Sequence, residues 1–328
     1  MVRSDVAVIT GASGFIGSRL RDALLDQKWD VVALTRKGSP VAARGRSVEV
    51  DYADTDGLAR LFERERPAFV FHVAGATKGV NYADYQRANV MPTRNLATAL
   101  RDAHADLQRF VHVSSLTAYG PSTPQQPLIE SFERKPIEYY GQSKLEAELV
   151  LEREFASLPW TILRPGGVYG PKDVDYFELF KLASRGLNLF FGNRHAWASM
   201  VHVDDLVQAA LAAANSGKTI GKGYFICDGT PRTWGELQSA IVSATGKRAL
   251  DLDLTHHSVA LGAMVGELLT RFDGKPRLFN KQKAILGKQI AWTCKHDSAR
   301  ADFDYRPRID LRAGVAQTLD WYKSAGWL

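Results

Sequence analysis

Three side chains near the middle of the chain have the types and spacing to move a proton onto or off a carbonyl oxygen: Ser115, Tyr140 and Lys144. Tyr140 and Lys144 stand four residues apart, so in a helix they share one face. A free phenol titrates near about 10, too high for a base at neutral pH, and a nearby ammonium favours the phenolate. Ser115 closes the strand-like run Val111-His112-Val113-Ser114-Ser115, and a loop with Pro121, Pro124, Pro127 and Pro136 separates it from Tyr140. Such a loop can return the serine hydroxyl to the tyrosine, where it would bond a substrate oxygen. A ketone that takes up hydride gathers negative charge on oxygen, so the phenol would donate the proton in reduction and accept it in oxidation.

The elements that must position these groups start at the N-terminus. Val6-Ala-Val-Ile9 is a short apolar run that leads into Thr10-Gly11-Ala-Ser13-Gly14-Phe15-Ile16-Gly17, and a periodic helix follows from Ser18 to Leu25. Gly11 permits a tight turn, Gly14 lets the backbone come close to a pyrophosphate, and Gly17 lets the helix pack on the strand. The helix N-terminus offers unpaired N–H groups to an anion. Strand, glycine turn and helix together imply a Rossmann-type doubly wound parallel sheet in an α/β fold. The second strand, Asp30 to Leu34, ends in Thr35-Arg36-Lys37, where an acid would bind the ribose hydroxyls of NAD. Arg36 instead suits a 2′-phosphate, so NADP(H) is the preferred cofactor, with NAD(H) possible. Ala74, Gly75 and Ala76 follow the strand Phe69 to Val73 as small residues suited to a backbone lying along a cofactor. His72, between apolar neighbours, reads as a packed strand residue.

With 328 residues, 45% of them hydrophobic and 24% charged, the chain fits an ordinary globular protein with one large unit and a smaller appended lobe. The net charge of +6 is scattered among acidic neighbours, which argues against a nucleic-acid partner. Cys227 and Cys294 suit neither a disulfide framework nor a metal site and read as reduced core or near-surface thiols. No metal is expected. No apolar run reaches spanning length, and a cytoplasmic location is the expectation. Residues 256–270 form an apolar segment that could line a cavity, cover the core or touch a membrane surface. Helices are expected from about Asp54 to Glu65, Tyr82 to Arg101, Tyr140 onward with Leu145, Leu149 and Phe155 as core, and Asp204 to Asn215 with an aspartate cap. A Thr233-Trp-Gly-Glu236 capping box opens another.

The wording Thr-Gly-Ala-Ser-Gly-Phe-Ile-Gly, the upstream Ser114-Ser115, the Tyr140-to-Lys144 pair and the segment Arg164-Pro165-Gly-Gly167-Val168-Tyr169-Gly170 closely resemble the extended short-chain dehydrogenase/reductases, the NAD-dependent epimerase/dehydratase superfamily. The resemblance runs through nearly the whole chain. It implies that Lys144 also holds the nicotinamide ribose, that Asp51 and Tyr52 border the adenine, that Asn89 stands behind the active site, and that Pro165, Gly167 and Val168 lie beside the nicotinamide. It implies a dinucleotide-binding part, residues 1–171, to which some later segments return, and a mainly substrate-binding α/β lobe, residues 172–328. A homodimer through helices near residues 82–102 and 138–155 is implied by the resemblance only.

Departures from the family pattern narrow the reaction. Dehydratases of this family carry an Asp-Glu pair after the residue matching Ser115, where this chain has Leu116 and Thr117. Sugar-nucleotide epimerases commonly place an arginine four residues before the histidine matching His202, where this chain has Ala198. The Arg306-Pro307-Arg308 turn lacks the Gly-Asp of their second arginine motif. The lobe is rich in Phe177, Phe180, Phe190, Phe191 and Trp197, which are either substrate wall or core. Candidate substrate contacts are Lys78, Thr117, Phe177, Phe191 and Trp197. The expected activity is NADP(H)-dependent interconversion of alcohol and ketone on a lipophilic or aromatic small molecule, closest in flavour to the 3β-hydroxysteroid dehydrogenase and dihydroflavonol reductase branch. The alternatives are an NDP-sugar epimerase with tightly bound NAD and, in another class, a non-catalytic NADP-binding sensor or scaffold.

Overall fold

A computed structural model describes residues 5–40, 42–103, 106–191, 193–254 and 281–328. The apolar segment 256–270 singled out above lies outside the described residues, as does the side chain of Phe191.

The first half alternates strands and helices: β1 (Val6–Thr10), α1 (Phe15–Asp26), β2 (Asp30–Thr35), β3 (Arg46–Glu49), α2 (Thr55–Glu65) and β4 (Phe69–His72). A helical run then passes from α3 (Tyr82–Tyr85) through a π-helical stretch, Gln86–Val90, into α4 (Met91–Ala103). Strand β5 (Arg109–Val113), helix α5 (Tyr139–Glu154) and strand β6 (Trp160–Pro165) follow. Later come β7 (Gly167–Tyr169), α6 (Phe177–Ser184), β8 (Leu187–Phe191), β9 (Trp197–Ala198), β10 (Met200–His202), α7 (Val203–Asn215), β11 (Lys222–Ile226), β12 (Arg232–Thr233), α8 (Trp234–Thr245) and β13 (Leu250–Leu254).

Seven strands form one sheet in the order β11-β6-β5-β4-β1-β2-β3, and every neighbouring pair is parallel. A parallel sheet is covered on both faces, which is why β4 and β5 are buried along their whole length. The alternating direction of strand side chains sorts the core into two layers. Ala7, Ile9 and Phe71 pack with Leu20 and Leu24 of α1 and Leu206 and Val207 of α7. Val8, Val70, Phe110 and Ile162 pack on the other face with Leu61, Phe62, Leu96, Leu100 and Leu151. Each such leucine or phenylalanine, fully buried, contributes about 1.5–3 kcal/mol. A bidentate pair from Arg19 to Asp204, 2.8 Å for each bond, ties α1 to α7.

Two details depart from the sequence reading. The cap of α7 is the His202 imidazole, whose Nδ1 accepts the Asp204 amide at 3.3 Å, and no aspartate takes that role. On α5 the buried stripe is Lys144, Ala147, Glu148 and Leu151, while Leu145 and Leu149 are only half-buried. The stripe that carries Tyr140 inward necessarily carries Lys144 and Glu148 with it, one turn apart. Phe155, also expected in the core, is buried.

Beyond the large sheet lie three small ones: β10 with β7, β13 with β8, and β9 between β12 and the strand Ala291–Trp292. Tyr169 of β7, Ala198 of β9 and Met200 of β10 share a third core with Phe180, Leu237, Val315 and Tyr322. The capping box of α8 is present, with Glu236 accepting the Thr233 amide and Thr233 accepting the Glu236 amide. Among the described residues no helix is long and apolar enough to cross a membrane, and no group of His, Cys, Asp and Glu could hold a metal.

Candidate active site

Strand order reverses between β1 and β4, and the carboxyl ends of these strands open a crevice. The glycine turn fills it. Gly11 has φ +72°, and a Cβ there would stand 2.9 Å from the Ala74 nitrogen; at Gly17 a Cβ would come within 2.1 Å of the Gly11 carbonyl oxygen. Gly14 precedes α1 with no side-chain cap, and the first turn of α1 carries no acid. The free N–H groups at that helix start therefore suit an anionic ligand such as a dinucleotide pyrophosphate. Ser13, Phe15 and Ile16 border the same cavity. At its far end stand Arg36, exposed and without an ion-pair partner among the described residues, Asp51, which accepts the Ala53 amide at 2.8 Å, and Tyr52, whose hydroxyl bonds the Leu34 carbonyl at 3.3 Å.

The walls behind this cradle are fixed by buried polar contacts. Thr10 Oγ1 accepts the amides of Val73 and Ala74 at 3.2 and 3.0 Å, and stands 2.8 Å from His72 Nδ1. His72 Nε2 lies 3.0 Å from Thr93 Oγ1, whose own hydrogen goes to the Asn89 carbonyl at 2.7 Å. This arrangement requires Nε2 to donate and Nδ1 to accept, so the imidazole is neutral. Burial, helped by the charge of Lys144, pushes it down to about 3. Asn89 stands in the π-helical stretch, where its Oδ1 accepts the Ala76 amide at 2.7 Å and its Nδ2 donates to Ser143 Oγ at 2.8 Å. It thus joins the segment Ala74-Gly75-Ala76 to α5. Gly75 leaves room for Lys144: a Cβ there would lie 3.2 Å from Nζ.

Tyr140 enters α5 under a carboxylate cap. Glu138 accepts the amides of Tyr140 and Gly141, at 2.6 and 2.5 Å, and so fixes the start of the helix. Ser115 follows β5, and its hydroxyl, near the phenol, opposes the upward push of burial on Tyr140. Ser115 Oγ also accepts from the amide and hydroxyl of Thr117, at 3.2 and 3.0 Å, which leaves its own hydrogen for the phenol or a substrate. Lys144 Nζ donates to the Val113 carbonyl at 2.8 Å and lies 6.0 Å from the Tyr140 ring centre. Burial lowers it to about 8 against the raising effect of Glu148. The groups acting on the phenol are burial first, then Ser115, with Glu138, Asp175 and Tyr85 raising it further.

Sequence reasoning passed over the support beneath this constellation. Glu148 is fully buried; it receives Ser114 Oγ, a forked Arg164 guanidinium at 3.0–3.1 Å, and Arg134 at 3.1 Å. The signal was its place four residues after Lys144 on the face already assigned inward. Arg164, an arginine ending an apolar strand, was the complementary sign.

The cavity encloses roughly 1990 Å³ and is bordered by Ser115, Thr117, Tyr140, Lys144, Pro165, Gly167 and Val168 as well as by the cradle. Other candidate residues lie elsewhere. Lys78 pairs with Asp175, which borders the cavity, at 3.0 Å. Phe177 packs on Tyr322 and Trp327, with ring centres 5.0 and 5.3 Å away, and Trp197 is part-exposed on β9; neither borders the cavity. Ala198 does border it, whereas Arg306, which pairs with Asp304, and Arg308 do not. Cys227 and Cys294 are both buried, with Cys227 Sγ 3.5 Å from His296 Nδ1.

Comparison with known proteins places this geometry. The chain is 30% identical to a ceramide reductase of Caulobacter vibrioides, covering 98% of this chain and 96% of that one. It is 27% identical to a UDP-glucose 4-epimerase of Mycolicibacterium smegmatis, covering 97% and 98%. The crystal structure of a UDP-glucose 4-epimerase from Thermotoga maritima superposes with a TM-score of 0.79 at 22% identity, over 98% of this chain and 99% of that one, a likeness of fold. Residues 7–227 match the model of the NAD dependent epimerase/dehydratase family. The chain belongs to that family, within the extended short-chain dehydrogenase/reductases.

Proposed function

We propose that the chain is an NADP(H)-dependent oxidoreductase that interconverts an alcohol and a ketone on a lipophilic small molecule. The observation that carries this reading is that the cavity bordered by Ser115, Tyr140 and Lys144 is also bordered by Val174, Leu179, Leu182, Met200, Trp234 and Trp292. Among the described lining residues that follow Pro165, Lys288 is the single cation, too little for a nucleoside diphosphate. The ceramide reductase relative supports a lipophilic ketone.

The nicotinamide cofactor, when bound, supplies or takes the hydride. Gly11, Ser13, Gly14 and Gly17 would hold its pyrophosphate, Arg36 its 2′-phosphate, Asp51 and Tyr52 its adenosine, and Lys144 its nicotinamide ribose. Ser115 donates to the substrate carbonyl oxygen and aims it at the phenol. Tyr140 gives that oxygen its proton in reduction and removes it in oxidation, with Ser115 steadying the phenolate that results. Glu138 holds the start of α5 and Asn89 its contact with Ala76, so the tyrosine keeps its place through the cycle.

Purified protein should oxidise NADPH in the presence of long-chain N-acyl amino ketones, steroid ketones or aromatic ketones. Tyr140→Phe should lower kcat by about 10²–10⁴-fold while NADPH binding persists. Turnover that survives the substitution would overturn the assignment. The epimerase relative supports a second reading, epimerisation with tightly held NAD, whose mark is a dinucleotide that copurifies and is not consumed.

A further inference from the structure

Thr117 borders the cavity beside Ser115, yet its hydroxyl is turned toward the serine. Leu116–Ala118 is a single 3₁₀ turn that Ser115 caps, so the Thr117 amide donates to Ser115 Oγ at 3.2 Å. The Thr117 hydroxyl donates to the same oxygen at 3.0 Å. The turn is held in place. Its Thr117 carbonyl accepts the Gly120 amide at 3.1 Å and presses on the residue after Tyr140, since a Cβ at Gly141 would stand 2.4 Å from that oxygen.

A serine oxygen has two lone pairs and one hydrogen. Thr117 brings a donor to each lone pair, so the bond left to Ser115 is one that it gives. With a lone pair open, the Tyr140 phenol could rest its proton on the serine, where a substrate oxygen would not receive it. We propose that Thr117 is a positioning residue: by filling both acceptor places of Ser115 it makes the serine a donor only and keeps the phenol proton for the substrate. This rests on the reductase reading and deepens it. In reduction the proton passes from Tyr140 to the substrate oxygen while Ser115 keeps its own hydrogen, and in oxidation the proton returns to the phenolate.

Neutron diffraction of the protein crystallised from D₂O reads these hydroxyls directly and needs no substrate. The Thr117 deuteron should lie on the line to Ser115 Oγ, and the Ser115 deuteron should point away from Thr117; a Ser115 deuteron on Thr117 Oγ1 overturns the proposal. In solution, Thr117→Val keeps the shape and the amide bond but removes the hydroxyl, whereas Thr117→Ser keeps it. The probes are a long-chain N-acyl amino ketone and its secondary alcohol. Thr117→Val should lower kcat about fivefold to tenfold in both directions and leave the KM for the cofactor within about twofold. The rise of alcohol oxidation with pH should move about half to one unit higher, because a phenol that can donate to Ser115 gives up its proton less readily. Lys144, Glu138, Tyr85 and Asp175, the charged and titratable groups that face the phenol, are untouched by the substitution. Thr117→Ser should recover most of the rate and the original profile. A loss of rate without a shift in the profile, or the same loss in both variants, overturns the proposal. If the unaltered protein turns over neither probe, the reductase reading falls and the neutron map still decides the role of Thr117; an active Thr117→Val enzyme with an unshifted profile does the reverse.

Discussion

A single guanidinium bears on the choice of cofactor. Arg36 follows β2 directly, exposed and bordering the cavity beside Asp51 and Tyr52, and no carboxylate holds it among the described residues. Arginine at this place is expected to fork onto a 2′-phosphate, an interaction that lysine or alanine cannot reproduce. Arg36→Ala should raise the Kd for NADPH by roughly 10–100-fold and leave that for NADH within about twofold. Titration of cofactor fluorescence measures both without any substrate, and equal losses for the two cofactors would remove Arg36 from the selection. Residues of this kind were legible in the sequence because their signal is local: the glycines bracket a turn, and Tyr140 and Lys144 are one helical turn apart. The burial of Asp173 was not legible, since an acid after Gly170-Pro171 looks like surface loop until the fold covers it. Lys78, Phe177 and Trp197 went the other way, chosen for residue type and then placed off the cavity wall by packing.

The central strands hold two buried imidazoles. His72 on β4 and His112 on β5 are adjacent in register, with ring centres 5.3 Å apart, and both are held neutral by burial. His72 falls to about 3, and His112 lies well below the ordinary histidine range. Between those values and the unfolded value of about 6.5, the unfolded chain binds protons that the fold refuses, so stability drops as pH falls through that window. Between pH 7.5 and 5.5 each of these two imidazoles should take roughly 1.4 kcal/mol from stability to urea, while Asp173, pushed up to about 7 by burial, acts in the opposite sense. Neither ring nitrogen of His112 has a hydrogen-bond partner among the described residues, so His112→Leu should make the protein roughly 1.4 kcal/mol less sensitive to the step from pH 7.5 to 5.5. An unchanged slope would acquit the imidazoles. At this scale the sequence was readable where periodicity governs, as in α2, α8 and the strands. It was not readable in α5, where Lys144 and Glu148 occupy inward positions that a pattern of apolar residues assigns to Leu145 and Leu149. Partners from other segments, Val113 for Lys144 and Ser114, Arg134 and Arg164 for Glu148, make those positions habitable.

Across the whole molecule, the sheet was foreseeable as a class, from strands and helices in alternation, while its last members were not. Strand β11 lies at the edge beyond β6, and α7 covers the face formed by Ala7, Ile9 and Phe71; both come from residues beyond 200. Their assignment needs pairing across some sixty residues, which no local pattern records. This arrangement also sets an order of events during synthesis. When β6 leaves the ribosome, the sheet still has an open edge and an apolar face that α1 covers only in part, and it stays so until the stretch from Val203 to Ile226 arrives to complete both. A chain halted after residue 171 is therefore expected to aggregate and to bind hydrophobic dyes, whereas one halted after residue 230 should stay largely soluble. The window between those two lengths is when a nascent chain of this protein has most need of a chaperone.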